Sequence, residues 1–477
     1  MGGPNDVMVH LDTIYDQIVG LNRECTELST ETGLAYKWES SPDMMTWTFY
    51  LREGILFPDG VEATAEDCIY SIERCMGPKS VSSFAGTLND LIKEIEVVGP
   101  YELAVHFNSP NFNAPYWFSR LQATEGMIVP KHYVEEVGDE VFNSQPMSLA
   151  AYQVVDREMG VRITCEAIDK HWYMGVPKFK QVEFRLVPEL STRIAMLKTG
   201  EADIIDVSRD KIPELEAAGF TIFNKEDSLL IHLFMQMAEP SPLDDIRVRE
   251  ALVISINRAE IVEYIMKGGA RLSENLIGSW SAAGYEELPL TAYDPDRAKT
   301  LLEEAGYPDG FDITVYSFDK TGFPESKSIG EAVAGYYEAI GIKATIEHTD
   351  YGTYRGRWAD DELNYPAVTV HAIGNRLFHD SLMRLIWHSE GLINAYRPGV
   401  AEYDELDRLI EAWQAAPTLE EYGERLAETE RHRYDQWLSG LICSTGGVFA
   451  ASDKVSKDWQ LGMHPYAINV EYLYWEE

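Results

Sequence analysis

Nucleophilic, metal-dependent and nucleotide chemistry each leave a spacing in a sequence, and the familiar spacings are missing from this one. There is no G-x-S-x-G elbow for a serine nucleophile, no H-E-x-x-H for a zinc hydrolase and no G-K-[ST] phosphate loop. An EF-hand loop and a G-x-G-x-x-G run behind a strand are absent too. With 79 acidic side chains, some carboxylate pair reaches glycosidase distance by chance, so such pairs carry no information. His371, His379 and His388 fall within eighteen residues, and imidazole suits nickel, copper and zinc. Their separations match neither the i, i+2 of a strand nor the i, i+4 of a helix, so no local chelate follows and no metal or cofactor is expected. The five cysteines, Cys25, Cys68, Cys75, Cys165 and Cys443, contain no C-x-x-C. Cys68 and Cys75 share one predicted helix about 10 Å apart along its axis, too far for a disulfide, so buried free thiols are expected. Trp280, Tyr351, Trp358 and Trp387 sit near predicted loops or helix ends, where aromatic walls line clefts for small ligands. Core packing is the competing reading of each.

The elements that would position these residues alternate between strand and helix. Trp47, Phe49 and Leu51 alternate with their neighbours, the period of a half-buried strand, and Pro58-Asp59-Gly60 turns the chain. Thr64 and Asp67 form a capping box ahead of a helix carrying Cys68, Ile69, Ile72 and Met76. A hairpin between Glu94 and Phe107 turns at Gly99-Pro100. Strands at 162–167, 182–187 and 202–207 enclose a helix at 190–198, and the last three elements read as a β-α-β unit with a partly parallel sheet. Ile231 to Phe234 is an apolar strand, and Glu239-Pro240-Ser241-Pro242 after it reads as a crossover between lobes. Further on, Asp244 or Asp245 caps a helix burying Val248, Ala251 and Leu252, and Asp294-Pro295 starts another that Gly306 ends. Residues 312–318, 329–339 and 343–348 form a strand-helix-strand unit, followed by a strand at 367–373. Leu406, Leu409, Ile410 and Trp413 mark the buried face of a late helix.

Length and charge narrow the function class. A chain of 477 residues exceeds one hydrophobic core, which predicts two or three domains. A net charge of −39 repels phosphate backbones and anionic headgroups, so nucleic acid and membrane surface are excluded as partners. No apolar stretch approaches the roughly 20 residues of a transmembrane helix. Met1 to His10 has neither a basic nor an apolar region, so either the protein is cytosolic or its leader is missing from this chain. No low-complexity linker separates the halves, which predicts lobes joined by ordered crossing strands.

Several segments in fixed order carry a family resemblance. Ile14-Tyr15-Asp16-Gln17-Ile18-Val19, Leu34-Ala35 with Trp38-Glu39, and Thr48 to Gly54 followed by Phe57-Pro58-Asp59-Gly60 form the first group. Thr64 to Asp67 and Gly200-Glu201-Ala202-Asp203 come next, then Asp244 to Leu252 with Ile256-Asn257-Arg258. Leu301-Leu302 through Gly306-Tyr307-Pro308-Asp309-Gly310 and Tyr403-Asp404-Glu405-Leu406 complete the series. Over about residues 11–460 the chain resembles the extracytoplasmic solute-binding proteins of oligopeptide, dipeptide and nickel ATP-binding-cassette importers, family 5. The resemblance implies an α/β, two-lobed periplasmic-binding-protein-like fold with a small inserted domain. Lobe I takes 1–40, 150–235 and 440–477, the insert 41–149, and lobe II 236–439. It implies capture of a small polar or peptide-like ligand between closing lobes, delivery to a membrane permease, a periplasmic or cell-surface location, a monomer, and no catalysis. A hydrolase on the same scaffold is the alternative.

Two departures shape the expected site. The family's Gly-Thr-Gly-Pro-Tyr turn is here Ser148-Leu149-Ala150-Ala151-Tyr152. In peptide binders a Trp-x-x-Asp segment supplies an aspartate for the peptide's α-ammonium, and Ala372 and Asn375 occupy those positions here. An amide lacks the full charge that makes such a pair strong, while the adjacent Arg376 matches a carboxylate. The resemblance places Asn375 and Arg376 among the expected ligand contacts together with Tyr351, which aligns near a family aromatic facing the ligand; Trp280 joins them on its loop position, and Met235 and Gln236 for their nearness to the crossover.

Overall fold

The computed structural model describes residues 10–476 except 24, 81, 83–84, 122–124, 226, 279–280, 320–322, 361, 375–377, 379, 392–395, 460 and 462–468. The chain forms two compact units. The N-terminal unit comprises Val7–Ile205, Gly219–Phe223 and Ala450–Glu477, and the C-terminal unit Asp206–Ala218 and Asn224–Phe449. The chain therefore passes between units at 205/206, 218/219, 223/224 and 449/450. The segment Glu239–Pro242, expected as a crossover, lies inside the C-terminal unit instead, where Ser241 and Asp244 close a capping box.

In the N-terminal unit, strands β1 (Ala35–Ser40), β2 (Thr46–Leu51), β3 (Ile92–Gly99) and β4 (Glu102–Phe107) form an antiparallel sheet in the order β1-β2-β4-β3. Alternation does the expected work: Phe49 and Leu51 on β2 and Leu103, Val105 and Phe107 on β4 are buried. Helix α1 (Ala65–Met76) packs on β3 and β4 with Cys68, Ile69 and Ile72 inward. Its start is fixed by the predicted box, in which Asp67 Oδ2 accepts from the Thr64 backbone N–H at 2.9 Å. A second antiparallel sheet holds β5 (Tyr152–Glu158), β6 (Arg162–Ala167) and β7 (Gln181–Arg185). The β-α-β unit expected here does not form. β7 pairs antiparallel with β6, and after helix α2 (Leu190–Thr199) the strand Ile204–Asp206 joins a different sheet. Three residues of strand give too weak a period to reveal which sheet it enters.

The turn at Ser148–Ala151 is built by a side chain. The Gln153 carboxamide donates to the carbonyls of Ala150 (2.9 Å) and Ser148 (3.2 Å) and accepts from the Ser148 N–H (3.3 Å). All five cysteines are free, and burial raises the Cys25, Cys75, Cys165 and Cys443 thiols to about 12.

In the C-terminal unit a five-stranded sheet runs in the order β10-β9-β11-β8-β12. Its strands are β8 (Leu229–Gln236), β9 (Asp312–Asp319), β10 (Lys343–Asp350), β11 (Ala367–Gly374) and β12 (Ser439–Thr445). β9, β10 and β11 are mutually parallel, and β8 runs antiparallel to both its neighbours. Helix α3 (Ile246–Ile254) starts at Asp245, whose side chain accepts from the Arg247 N–H, and α4 (Pro295–Glu304) starts at Asp294 in the same way. α5 (Ser326–Ala339) links β9 to β10 and α6 (Tyr351–Ala359) follows β10 directly. α7 (Asp380–Trp387), α8 (Ala401–Gln414) and α9 (Leu419–Asp435) complete the unit, and α8 buries the predicted Leu406, Leu409, Ile410 and Trp413.

Two positions offer tests of this architecture. At Gly310, φ is +69°, and a Cβ there would lie 2.0 Å from the Gly341 carbonyl oxygen. Gly310→Ala therefore costs at least about 2 kcal/mol from backbone strain and clash, read as a lower urea midpoint. In the N-terminal unit, burial raises the Asp12 carboxyl from 3.8 to about 7, opposed by Arg120 and reinforced by Glu471. The folded state thus keeps a proton that the unfolded chain releases near pH 3.8. This contribution is fully present below pH 3.8 and is lost as pH rises to about 7. Wild type then loses stability relative to Asp12→Asn between pH 4 and pH 8, measured by paired urea titrations.

Candidate functional site

Open α/β sheets bind ligands outside the carboxyl ends of their parallel strands. In the C-terminal unit that edge is formed by Asp319, Asp350 and Gly374, at the ends of β9, β10 and β11. β8 begins at the same edge, where Leu229 pairs with Gly374, and β12 ends there with Thr445 opposite Leu229.

Tyr351, the first residue of α6, stands at this edge. Asp350 caps the helix, and hydrogen bonds from the Thr353 hydroxyl and backbone N–H hold its carboxyl below the usual range. The Tyr351 ring packs on Phe318 with centroids 4.9 Å apart and lies 5.9 Å from His371. His371 in turn meets Phe318 at 5.1 Å, Phe234 at 5.0 Å and His232 across the β8–β11 pair at 5.9 Å. Trp387 covers His232 and Phe234, and Trp358 covers Phe234. Tyr351, Trp358 and Trp387 are thus buried members of one aromatic layer on one face of the sheet.

The remaining expected contacts divide. Asn375 and Arg376 directly follow Gly374 in sequence, but they, Trp280 and His379 lie outside the described residues. Gln236 pairs with Ala367, at the opposite end of β11 from Gly374. Seven residue steps separate the two ends, about 24 Å at ~3.4 Å per residue. The Gln236 Nε2 donates to the Tyr354 hydroxyl and Thr369 Oγ1, both at 3.2 Å, while Oε1 has no partner among the described residues. Met235 is buried on the other face. The chain passes between units just before β8, at 223/224, and not after it where the Pro-rich segment stands. His388 turns away from His371, with Nε2 3.3 Å from Glu411 Oε1 and Nδ1 accepting from the Glu390 N–H. Among the described residues no group of three or more His, Cys, Asp or Glu is arranged to hold a metal.

Two ion pairs at the carboxyl edge were not foreseen. Arg209, just after the 205/206 passage, donates to Glu325 Oε1 at 3.0 Å and to Thr445 Oγ1 at 2.6 Å, with a further bond to the Gly446 carbonyl. It thereby ties the start of α5 to the end of β12. Arg271 donates to both Asp227 oxygens at 3.2 Å, and Ser444 Oγ donates to Asp227 Oδ1 at 2.6 Å. An isolated Arg or Asp in a loop carries no periodic signal, so only its partner distinguishes it from a solvated charge.

This fold is shared with known proteins. Residues 29–393 match the family described as bacterial extracellular solute-binding proteins, family 5 middle. The chain belongs to that family. It is 27% identical over 381 residues to the dipeptide-binding protein of Escherichia coli K12, covering 73% of this chain and 68% of the relative. It is 25% identical over 383 residues to heme-binding protein A of Haemophilus influenzae, covering 73% and 67%. The chain thus spans about two thirds of each relative's length. Among solved structures, the periplasmic binding protein DppA of Helicobacter pylori, in complex with the peptide STSA, superposes with a TM-score of 0.85. That match has 20% identity and covers 100% of this chain and 96% of that one. The family's fold is therefore the two-lobed periplasmic-binding-protein fold, and its members are substrate-binding proteins associated with membrane importers. Among the described residues no helix is long and apolar enough to cross a membrane.

Removing Arg209 leaves the Glu325 carboxylate, 6% exposed, without its cation. Arg209→Ala is expected to cost about 3–5 kcal/mol in urea unfolding. Replacing both partners by methionine recovers most of that loss.

Proposed function

We propose that this chain is the solute-binding component of an ATP-binding-cassette importer, acting as a monomer in the periplasm or at the cell surface. It captures a small polar solute, a peptide or peptide-like molecule, and hands it to the permease without altering it. The family match over residues 29–393 carries this reading. A hydrolytic role has no supporting observation.

The ligand is taken at the carboxyl edge of β9, β10 and β11. Tyr351 begins the helix that leaves this edge, and Asn375, Arg376 and Trp280 are the further contacts of this reading. Met235 and Gln236, fully buried at the far end of β8, take no part in this site. A neutral amide at position 375 accepts from an ammonium more weakly than a carboxylate does. Arg376 beside it favours a carboxylate or other planar anion. The preferred solute is therefore one whose acidic group is recognised more strongly than its amine.

Native mass spectrometry of the purified chain should reveal a co-purified mass in the range of a small peptide or metabolite. Calorimetry should then show Asn375→Asp gaining about tenfold in affinity for peptides with a free amino end, the equivalent of ~1.4 kcal/mol. No bound mass and no thermal shift with peptides would count against solute capture. An unchanged peptide affinity in Asn375→Asp would remove residue 375 from the site.

A further inference from the structure

A second, unrelated polar site lies within the N-terminal unit. A cavity of about 20 Å3 is lined by Asp16, Gln17, Cys25, Arg120, Tyr173 and Tyr472, together with neighbouring residues of segment 19–22 and Thr32. That volume accommodates one water molecule, which requires roughly 10–15 Å3 and two to four polar partners.

Gln17 is the group that asks for a guest. It is 4% exposed, and neither Oε1 nor Nε2 of its carboxamide has a hydrogen-bond partner among the described residues. Folded proteins rarely leave both ends of a buried amide unmade. The main chain holds Gln17 in place, because its carbonyl accepts from the Leu34 N–H at 3.1 Å and it bridges Met127. Nor do its charged neighbours stand ready to serve it. Asp16 Oδ2 accepts from His171 Nε2 at 3.0 Å and Trp172 Nε1 at 2.9 Å. Arg120 donates to the Asp12 carbonyl at 2.7 Å and is paired with Glu471. Across the cavity wall, the Asn469 Nδ2 donates to Cys25 Sγ at 3.3 Å while its Oδ1 has no partner among the described residues.

We propose that this cavity is a binding site for one ordered water, hydrogen-bonded to the Gln17 carboxamide and linking it to the polar wall formed by Asp16, Arg120 and the two tyrosines. The water then belongs to the core of the unit, joining segments near residues 17, 120, 173 and 472 that are distant in sequence.

The test is a high-resolution crystal structure of the full chain and of Gln17→Met, a substitution of similar shape that makes no such bonds. Density for a single water within hydrogen-bond distance of Gln17, lost in the variant, is the expected result. The variant should also melt no higher than wild type, because a partnered amide is being removed. An empty cavity in wild type overturns the proposal, and so does a raised melting temperature in Gln17→Met, the outcome for an amide that was simply unsatisfied. Density ringed by short oxygen contacts of metal-ion length would replace water with a cation and equally overturn it. Should the variant fail to fold, the wild-type density alone decides.

Discussion

The antiparallel pairing of β8 with β11 is the constraint on which the C-terminal unit depends. All sixteen residues of the two strands are buried, from Leu229↔Gly374 to Gln236↔Ala367. A strand buried on both faces tolerates no slip, since moving it by one residue exchanges every side chain between faces. Such a slip would carry His232 and Phe234 out of the aromatic layer and bring Leu233 into it. The same pairing decides where β11 ends, at Gly374. Geometry at the proposed binding edge is thus inherited from hydrogen bonds deep in the sheet.

Sequence periodicity revealed most of this architecture because the relevant residues are local. The Thr64–Asp67 box, the Asp294-Pro295 start and the buried stripe Leu406, Leu409, Ile410 and Trp413 each depend on neighbours within a turn or two of helix. The unit 312–348 was also legible, since a strand, a helix and a strand of ordinary length leave two distinct periods. Topology across sheets was not. Residues 182–187 and 202–207 look like partners in a β-α-β unit, but β7 takes its hydrogen bonds from β6, a choice made by long-range pairing rather than by local pattern.

The candidate site was legible in parts. Tyr351, expected as a ligand contact from the family resemblance, is the first residue of the helix that follows β10 at the carboxyl edge. A Pro-rich interruption after Met235 and Gln236 resembles a passage between lobes, whereas the passage precedes β8, at 223/224. Arg209 with Glu325, and Asp227 with Arg271, are ion pairs between residues 116 and 44 positions apart. Spacing of that kind is invisible without coordinates. The Gln153 carboxamide marks the opposite situation: the missing glycines at 148–151 signalled an unusual turn, but nothing local identified the side chain that replaces them.

The contact between Gly310 and Gly341 has a consequence for how this chain can vary in length. The loop entering β9 and the loop leaving α5 touch backbone to backbone, with no side chain between them to absorb an error. The length of α5 is therefore fixed: one residue added to it would rotate its buried face by about 100° and lift its last turn away from Gly310. A graft or a fluorescent tag placed within α5 or at the Gly310 and Gly341 loops would break this contact.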